Sequence, residues 1–450
     1  MEEIRSNNYN IDNTGNVLVT KEIQALLDKA EGKKIIITEG KYLVSSLFIK
    51  SNTTLVLEKG ATLIATTDES LYPIMPTRVA GIEMPWYLGI LNIIDAKDVT
   101  IEGEGAINGS GPYWWKKYWG TDMNGGMRQK YDKLGVRFAC DYDCKRTRNV
   151  LVSNSSNINL KDFKSIDSGF WNVHILYSNN VLVDNIHIDS DDYMSPSTDG
   201  INIDSSHDVE VKNCRLAVND DSICVKSGRD ADGIRVGIPS HDISIHDCEI
   251  LSGFGITLGS ELSGGIYNVD INNIKYEGTD CGFRIKSTKT RKGYIKNITV
   301  RNLEMIDVKY LFHFYLNWNP NYSNCRIPKS YKGEIPSYWN TLCEHVDSNI
   351  PDTMIENIEI SNIKAYQSKG YMGISRCFNI EGFEKQPMSR IKFRDMDVCA
   401  KEFGIISYAN VEFNNTNIRI EQKNNPLNDV YDNRWEIWEI INLMIQKKRK

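Results

Sequence analysis

Three aspartates lie in two short segments with the same pattern, at a spacing that suits acid–base chemistry. Asp199 and Asp221 are each followed by a small residue and then by alternating apolar and polar residues. If the two segments are adjacent parallel strands, these aspartates lie about 4.8 Å apart in one column. Asp220 is one residue to the side and reaches the same cleft if the backbone bends there. Carboxylates this close raise the pKa of at least one of them, which can keep one protonated as a general acid beside a charged general base.

Two later segments align with the two aspartate segments, and the second of them contains two basic residues. Phe254 and Cys281 continue the column, so that the successive offsets from Asp199 are 22, 33 and 27 residues. Arg284 and Lys286 are two residues apart and therefore project from one face of a strand. They could neutralise the aspartates or hold the carboxylate of a uronic acid, for which arginine has a bidentate fork. The aspartates could equally form a solvated turn ladder or a calcium site, so these residues alone leave the chemistry open.

The elements that position these residues are predicted from a repeated phrase, in which a polar pair precedes a short alternating strand. Its first apolar residues lie at positions 158, 181, 209, 243, 269 and 298. Steps of about 20 to 35 residues between short strands are typical of a solenoid of β-coils. We therefore predict an all-β chain that forms a single-stranded right-handed parallel β-helix. An antiparallel sandwich is less consistent with the chain because hairpin dipeptides such as Asn-Gly are scarce.

The same pattern predicts one β-helix domain over residues 1–450 with short helical caps. Residues 1–33 are predicted to form an N-terminal cap containing a helix, and residues 430–450 a C-terminal helix and tail. Residues 316–350 interrupt the coils as a long loop, and a second bulky loop is expected over 78–135. Long excursions from a rigid solenoid often carry binding function.

Composition excludes several classes of protein. The 450 residues carry 53 basic and 59 acidic side chains, a net charge of −6, which argues against nucleic acid as the default partner. No apolar window reaches the roughly 18 residues of a membrane span. The ten cysteines lack a CxxC pair and are interpreted as buried free thiols instead of disulfides or zinc ligands.

Because the sequence begins without a secretory leader, we expect a cytoplasmic protein, or a secreted one if a leader was removed. Nothing indicates the oligomeric state.

Four ordered motifs support a family resemblance. They are Ser197-Thr198-Asp199, Asn219-Asp220-Asp221, Gly253-Phe254-Gly255 and Arg284-Ile285-Lys286, accompanied by the phrases Ser168 to His174 and Leu258 to Glu261. From about residue 10 to 420 the chain resembles glycoside hydrolase family 28, the polygalacturonases, whose pattern is Asn-Thr-Asp, Asp-Asp, Gly-His-Gly and Arg-Ile-Lys. The resemblance implies a pectin-lyase-like β-helix that hydrolyses galacturonosyl linkages with inversion and needs no cofactor or metal. It also implies that Asp220 is the general acid, that Asp199 and Asp221 activate the water, and that Arg284 and Lys286 bind the substrate carboxylate.

One residue departs from the family pattern. Phe254 stands where the family has a histidine, and none of the seven histidines of the chain occupies that position. Because the aspartates and both cations are retained, we expect an altered specificity and not an inactive site. The shift favoured is toward rhamnogalacturonan, where Phe254 could pack against the methyl-bearing face of rhamnose.

Aromatic residues and one histidine are further candidates for sugar contacts. We expect Trp318, at the start of the 316–350 loop, and His174 to contact the substrate. Trp114, Trp115 and Trp119 lie on a predicted loop and could stack on sugars, although packing is the favoured interpretation.

Together these observations predict an exo-acting hydrolase of pectic oligosaccharides. Exo action is expected because the two bulky loops could block one end of the cleft. Two other functions are kept as alternatives. One is a calcium-dependent pectate lyase on a similar β-helix, and the other is a solenoid that binds pectin without catalysis.

Overall fold

The computed structural model describes residues 2–29 and 31–421, and the predicted C-terminal helix lies outside them. Its strands pair in parallel from coil to coil, which confirms the right-handed parallel β-helix. The larger sheet contains twenty strands: Glu3–Arg5, Thr14–Leu18, Lys34–Ile37, Gly40–Val44, Thr54–Leu57, Ala61–Ala65, Lys97–Glu102, Ala106–Asn108, Ser156–Lys161, Lys164–Ile166, Asn179–Asp184, His187–Ser190, His207–Lys212, Arg215–Val218, Ser240–Ile250, Ile266–Glu277, Tyr294–Ile306, Met354–Tyr366, Met388–Ala400 and Ala409–Ile420.

A second parallel sheet carries the residues singled out above. Its eleven strands follow one another in chain order: Leu47–Phe48, Leu91–Ile94, Val150–Ser153, Val173–Leu176, Ile201–Asp204, Ile223–Lys226, Ile256–Gly259, Cys281–Lys286, Tyr310–Tyr315, Arg376–Glu381 and Glu402–Ser407. The pairings Ile201 with Ile223, Ile223 with Ile256, and Ile256 with Phe283 reproduce the offsets of 22, 33 and 27 residues. The predicted register is therefore confirmed.

The alternation of apolar and polar residues explains why these segments are strands of a closed coil. Ile201, Ile223 and Ile256 point inward and have no exposed surface, and one hydrophobic core extends from Ile4 to Ala400. Short side chains that tolerate the left-handed region occupy many corners of the coils. Asn297, for example, has φ of 58° and donates to Oδ1 of Asn268 in the preceding coil at 3.1 Å.

Helices and hairpins occur where the chain leaves the coils. The α-helices are Thr20–Leu27, Gly111–Trp119, Met127–Leu134, Cys140–Asp143, Asp230–Val236, Pro320–Ser323 and Ser337–Leu342, with 3₁₀ turns at Ser6–Asn8, Glu69–Leu71 and Arg137–Ala139. Two antiparallel hairpins pair Ile74–Val79 with Ile82–Tyr87, and Gly120–Thr121 with Asn124–Gly125. The helix Thr20–Leu27 lies in the predicted N-terminal cap and buries Ile23, Leu26 and Leu27 in the main core.

The tryptophan cluster was wrongly predicted to lie on a loop. It belongs to the helix Gly111–Trp119, which has proline in its first turn, where the missing N–H is not needed. Trp114, Trp115 and Trp119 are all buried, so the packing interpretation is the correct one.

The excursions form a wall because they pack against each other. The bounds expected for the loop over 78–135 are wrong, because residues 91–108 contain three coil strands and the chain leaves the coils over 109–149. We call residues 109–149 the helical excursion and residues 316–350 the second excursion. Trp339 of the second excursion donates to Oδ1 of Asp143 in the helical excursion at 3.1 Å, and its ring centre lies 5.7 Å from that of Phe138. Arg229, on the coil, donates to the hydroxyl of Tyr142 at 2.7 Å and to the backbone oxygen of Tyr322 at 2.9 Å, which ties both excursions to the solenoid.

The cysteines are free thiols, as predicted. Seven of the ten are buried, and Cys325, Cys343 and Cys399 are partly exposed. Within residues 2–29 and 31–421, no helix has the length and apolar character needed to cross a bilayer.

Candidate active site

The three aspartates converge just before two adjacent strands. Asp199 precedes the Ile201–Asp204 strand and Asp221 precedes the Ile223–Lys226 strand, and the register of these strands places both in one column. Both carboxylates are buried, and oxygen atoms of Asp199 and Asp221 lie within 4.8 Å of each other. Asp220 is partly exposed, and its Oδ1 accepts a hydrogen bond from the backbone N–H of Asp221 at 2.9 Å.

Asp221 is held in its charged form. Nζ of Lys286 lies 2.6 Å from its Oδ2, while the Thr257 hydroxyl, at 2.7 Å, and the Arg284 guanidinium, at 3.5 Å, donate to its Oδ1. Burial disfavours a charge here, but Lys286 and Arg284 outweigh it and lower the pKa of Asp221 to about 2. Asp221 is therefore ionised at neutral pH.

Asp199 is paired with a lysine that the sequence motifs did not identify. Nζ of Lys226 lies 2.8 Å from Oδ2 of Asp199, 3.8 Å from Glu261 and 4.1 Å from the centre of the Trp171 ring. Burial raises the pKa of Asp199 above its ordinary value despite this ion pair. Asp199 therefore accepts a proton more readily than Asp221 does.

Asp220 has the environment of a general acid. Burial raises its pKa to about 7, and the nearby charges of Asp199 and Asp221 add to this effect. Near neutral pH the cleft thus contains one carboxyl, Asp220, that retains a proton more readily than an ordinary aspartate, and two others, Asp199 and Asp221, that differ in basicity.

The structure brings the predicted cations and Trp318 to these aspartates. Arg284 and Lys286 lie farther along the same sheet than the strands that follow the aspartates, in the Cys281–Lys286 strand. Trp318 is half-buried and lines the cleft, with Nζ of Lys286 located 4.6 Å above its ring centre.

Phe254 and His174 do not lie where a sugar would contact them freely. Phe254 is 7% exposed and packs with Cys281 and Tyr310, while the guanidinium carbon of Arg284 lies 4.6 Å from its ring centre. Its ring therefore contacts Arg284 on one side and is packed into a small apolar cluster.

His174 has no exposed surface, so the prediction that it contacts a sugar is wrong. Its ring bonds to Arg148 at 2.7 Å and lies 3.4 Å from Asp204, and it meets the ring of Trp171 edge-on at 4.7 Å. Burial and Arg148 lower the pKa of His174 to about 4, and the imidazole is neutral. His174 lies on the outward face of the sheet and is buried there because Arg78, on the 74–87 hairpin, covers this part of the face and pairs with Asp204.

Comparison with known proteins identifies the family. The model of glycosyl hydrolases family 28 matches residues 85–330, which include all four motifs. The chain belongs to this family. The resemblance predicted from the motifs is confirmed, and the protein is a polygalacturonase-like glycoside hydrolase.

Individual relatives agree with this assignment. The chain is 29% identical over 391 residues to a probable polygalacturonase of Vitis vinifera, covering 82% of this chain and 75% of the relative. It is 27% identical over 292 residues to an α-L-rhamnosidase of Aspergillus niger, covering 61% of this chain and 59% of the relative. Its fold is similar to that of an exopolygalacturonase from Thermotoga maritima, with a TM-score of 0.75 at 24% identity, covering 93% of this chain and 92% of that one.

This family 28 protein has further cleft residues to which the sequence analysis assigned no role, although Ser197, Phe170, Trp171 and Glu261 lie in the motifs and phrases named there. Lys226 lies in the register position of Lys286 two strands earlier, so the column alignment could have identified it. Glu261 follows the Ile256–Gly259 strand. The other missed residues come from the excursions or from turns before the strands, and no strand register points to them: Tyr118, Arg137, Asp141, Phe170, Trp171, Ser197, Asn319 and Tyr322.

The donor set of the family 28 cleft does not suit calcium. Ligand atoms of Asp199, Asp221 and Cys224 lie close enough together to be considered as a metal site. However, Lys226 and Lys286 already pair with the two carboxylates, and calcium requires six to eight oxygen ligands. We therefore derive no step through a metal ion.

Proposed function

We propose that the protein hydrolyses galacturonosyl linkages in pectic oligosaccharides, with inversion, and releases galacturonate from chain ends. The observation that supports this proposal most directly is that the carboxyl groups of Asp220 and Asp221 have very different pKa values. Asp220 is partly exposed with a pKa of about 7, whereas Asp221 is buried and charged with a pKa of about 2. Glycoside hydrolysis needs such a pair of unlike carboxyl groups.

In the proposed reaction, Asp220 donates its proton to the glycosidic oxygen as the bond from that oxygen to the anomeric carbon breaks. A water held between Asp199 and Asp221 attacks the anomeric carbon from the opposite face. Its proton passes to Asp199, the more basic of the two. Asp221 stays ionised beside Lys286 and orients the water. Asp220 is left as the carboxylate and Asp199 is left protonated, so a proton exchange with solvent restores the starting state.

Arg284 and Lys286 are proposed to bind the carboxylate of the galacturonate on the leaving side of the bond. They lie three strands beyond Asp199 along the sheet, and both also face Asp221. Their charges, with that of Lys226, offset those of Asp199, Asp221 and Glu261. A protein with a net charge of −6 therefore has a cleft that does not repel a polyanion.

Exo action is supported by the wall formed by the two excursions. Tyr142 and Tyr322, one from each excursion, approach with their hydroxyl oxygens 3.2 Å apart, and Tyr142 also donates to the backbone oxygen of Ala80 at 2.9 Å. Tyr322 and Ala80 both line the cleft. A cleft closed at one end admits a chain terminus and excludes the interior of a polymer.

Rhamnogalacturonan oligosaccharides are a second candidate substrate. The specific support is Phe254 in place of the family histidine, together with the similarity to an α-L-rhamnosidase. Phe254 is buried and its ring is covered by the guanidinium of Arg284. Direct packing of this ring on rhamnose therefore does not support rhamnogalacturonan as the substrate. Homogalacturonan oligosaccharides are therefore the first choice.

The test is a time course of products from both oligosaccharide sets. We expect galacturonate as the single early product, released as the anomer opposite to the substrate linkage when followed by ¹H NMR. Asp220→Asn should release it about 10²- to 10⁴-fold more slowly. Early formation of a ladder of oligosaccharides would contradict exo action, and retention of configuration would contradict the mechanism.

The same assay distinguishes the proposed hydrolase from the two alternative functions, a calcium-dependent pectate lyase and a solenoid that binds pectin without catalysis. We expect turnover to be unchanged in excess chelator, with no product that absorbs as an unsaturated uronide. Loss of activity with chelator and the appearance of that absorbance would identify a lyase. Binding of oligosaccharides by the wild type without any turnover would identify a non-catalytic solenoid.

A further inference from the structure

The end of the cleft formed by the helical excursion, which under the proposed function is its closed end, contains two arginines that share one aspartate. In the helical excursion, Nη1 of Arg137 donates to Oδ2 of Asp141 at 2.6 Å. Nη2 of Arg146 lies 3.6 Å from the other oxygen of the same carboxylate. This group therefore has one positive charge that its own carboxylate does not offset.

The two guanidinium groups differ in their access to the cleft. Arg146 has no exposed surface, lies 4.7 Å from the ring centres of both Tyr118 and Phe170, and donates to the backbone oxygen of Pro196 at 2.6 Å. It is a packed, structural cation.

Arg137 faces the cleft. Its side chain is 14% exposed and lines the cleft, with its guanidinium carbon 5.4 Å from the ring centre of Tyr322. Among the residues that the structure describes, Asp141 is the one acceptor to which Arg137 donates, which uses one of its five N–H groups. Donors therefore remain for a ligand.

The other cations of the cleft are engaged by catalytic carboxylates. Lys226 faces Asp199 and Glu261, and Lys286 faces Asp221. The surplus positive charge is thus located at the end of the cleft formed by the helical excursion. A sugar that entered this end with a carboxylate would meet a complementary charge and a bidentate donor.

The order of residues along the solenoid places this end on the side of the aspartates opposite to Arg284. Arg146 and Phe170, which anchor the closed end, precede the Val150–Ser153 and Val173–Leu176 strands. Asp199 and Asp221 come next, and Arg284 lies farther along the same sheet. The cleaved bond therefore lies between a sugar at the closed end and a sugar at Arg284.

We propose that Arg137 binds the carboxylate of the terminal galacturonate and so selects uronate-ended chains. This inference rests on the proposed function, because it assigns the residue that recognises the released sugar. Since Arg137 belongs to the helical excursion, the element that closes the cleft also supplies the recognition of the chain end.

The test compares two single-sugar substrates that fill only the closed end and the leaving-group position. These are p-nitrophenyl α-D-galacturonide and p-nitrophenyl α-D-galactoside, which has an uncharged hydroxymethyl group in place of the carboxylate. For Arg137→Gln we expect kcat/KM on the galacturonide to fall about 10- to 100-fold, and that on the galactoside to change less than about threefold. Arg137→Lys keeps the charge and should retain part of the preference.

Arg235→Gln is the matched control, since Arg235 is an exposed arginine that pairs with Glu344 outside the cleft, and it should change neither rate. Far-UV circular dichroism and the melting temperature verify that Arg137→Gln is folded. An equal loss on both substrates, or an unchanged rate on the galacturonide, would overturn the role of Arg137 while leaving the hydrolase intact. If the wild type released nothing from any galacturonate-containing substrate, the proposed function itself would fail.

Discussion

The ammonium group of Lys226 lies 2.8 Å from Oδ2 of Asp199, and both side chains are almost completely buried. The pair couples the proposed proton acceptor of the reaction to a cation that lies outside the four motifs. Because the same ammonium also faces Glu261 and the ring of Trp171, its position is set from three sides. The basicity of Asp199 therefore depends on how Lys226 is held.

Activity should fall as the pH rises through about 7. Asp220 has a pKa of about 7, so it is protonated below that pH and loses its catalytic proton above it. Well above this pKa, kcat/KM on oligogalacturonides should decrease about tenfold per pH unit. On the acid side, Asp221 stays charged down to a pH of about 2, so protonation of Asp199, with its raised pKa, should end activity first. A pH profile of kcat/KM checks this, and a profile flat from pH 6 to 9 would contradict the assignment of Asp220.

Asp220→Asn should slow turnover strongly and stabilise the protein at pH 8. Loss of the general acid is expected to reduce kcat about 10²- to 10⁴-fold. Since the pKa of Asp220 is higher in the folded state, its contribution to stability is complete at low pH and declines as the pH rises toward about 7. The melting temperature of the variant should therefore exceed that of the wild type at pH 8, with a smaller difference at pH 4.

The control for this variant is Asp122→Asn, an exposed aspartate in the turn of the small hairpin. It should change neither the rate nor the dependence of melting on pH. An Asp220→Asn protein that melted below the wild type at pH 8 would show that the carboxylate stabilises the fold, against the expectation.

Lys226→Met should destabilise the protein and shift its pH profile. Removing one partner of a buried ion pair leaves an uncompensated charge and typically costs about 3–5 kcal/mol. Without its cation, Asp199 should have a still higher pKa, so the acid limb of kcat/KM should move to higher pH. Urea unfolding and the pH profile measure the two effects.

Two further variants serve as controls for the effects of Lys226→Met on stability and on the pH profile. Lys226→Arg should preserve most of the activity, and adding Glu261→Gln to Lys226→Met should recover part of the lost stability, because Glu261 faces the same ammonium. An acid limb that did not move in Lys226→Met would contradict the coupling of Lys226 to Asp199.

Phe254→Leu should weaken substrate binding with little effect on the chemical step. The ring of Phe254 supports the Arg284 guanidinium at 4.6 Å, an interaction of about 0.5–2 kcal/mol, and leucine nearly preserves the volume. We expect KM for oligogalacturonides to rise about 2- to 30-fold at nearly constant kcat. Phe383→Leu is a matched control, because Lys289 lies 5.9 Å from the ring of Phe383 away from the cleft. A fall in kcat at constant KM would instead place Phe254 in the chemical step.

Trp339→Ala should loosen the wall and change the products. Trp339 joins the two excursions through Asp143 and Phe138, and removing a buried tryptophan typically costs about 3–5 kcal/mol. Digests of long oligogalacturonides should then contain some longer products besides galacturonate. Tyr338→Phe, which removes only the hydroxyl that donates to Asp143, should have a smaller effect. An unchanged product pattern in a folded Trp339→Ala protein would show that the wall does not determine exo action.

The sequence is sufficient to predict the fold and the column in which Asp199 and Asp221 lie. The fold and the column follow from two regularities that can be read from the sequence. Side chains alternate between the two faces of a strand, and each coil stacks in register on the one before it. Asp199 and Asp221 could therefore be aligned through their inward-pointing neighbours, Ile201 and Ile223. Lys226 could have been identified in the same way. It lies two residues after Cys224 on the same face of the strand and stands in the register column of Lys286.

What the sequence did not predict comes from segments that fold back over the sheet. His174 lies in the outward column with Asn202 and would be exposed on a bare solenoid. It is buried because Arg78, on the Ile74–Val79 strand of the hairpin, covers this face and pairs with Asp204 at 2.9 Å. Arg137 likewise reaches the cleft through helical packing that no strand period encodes.

The unequal coil lengths have a consequence for how such a protein can change. Between Asp199 and Asp221 the chain uses 22 residues, and between Asp221 and Phe254 it uses 33, because the latter coil contains the Asp230–Val236 helix. The strands on either side nevertheless pair in the same frame. Lengthening a turn therefore leaves the reacting groups in place, so new specificities can be acquired by inserting residues at coil corners without rebuilding the chemistry.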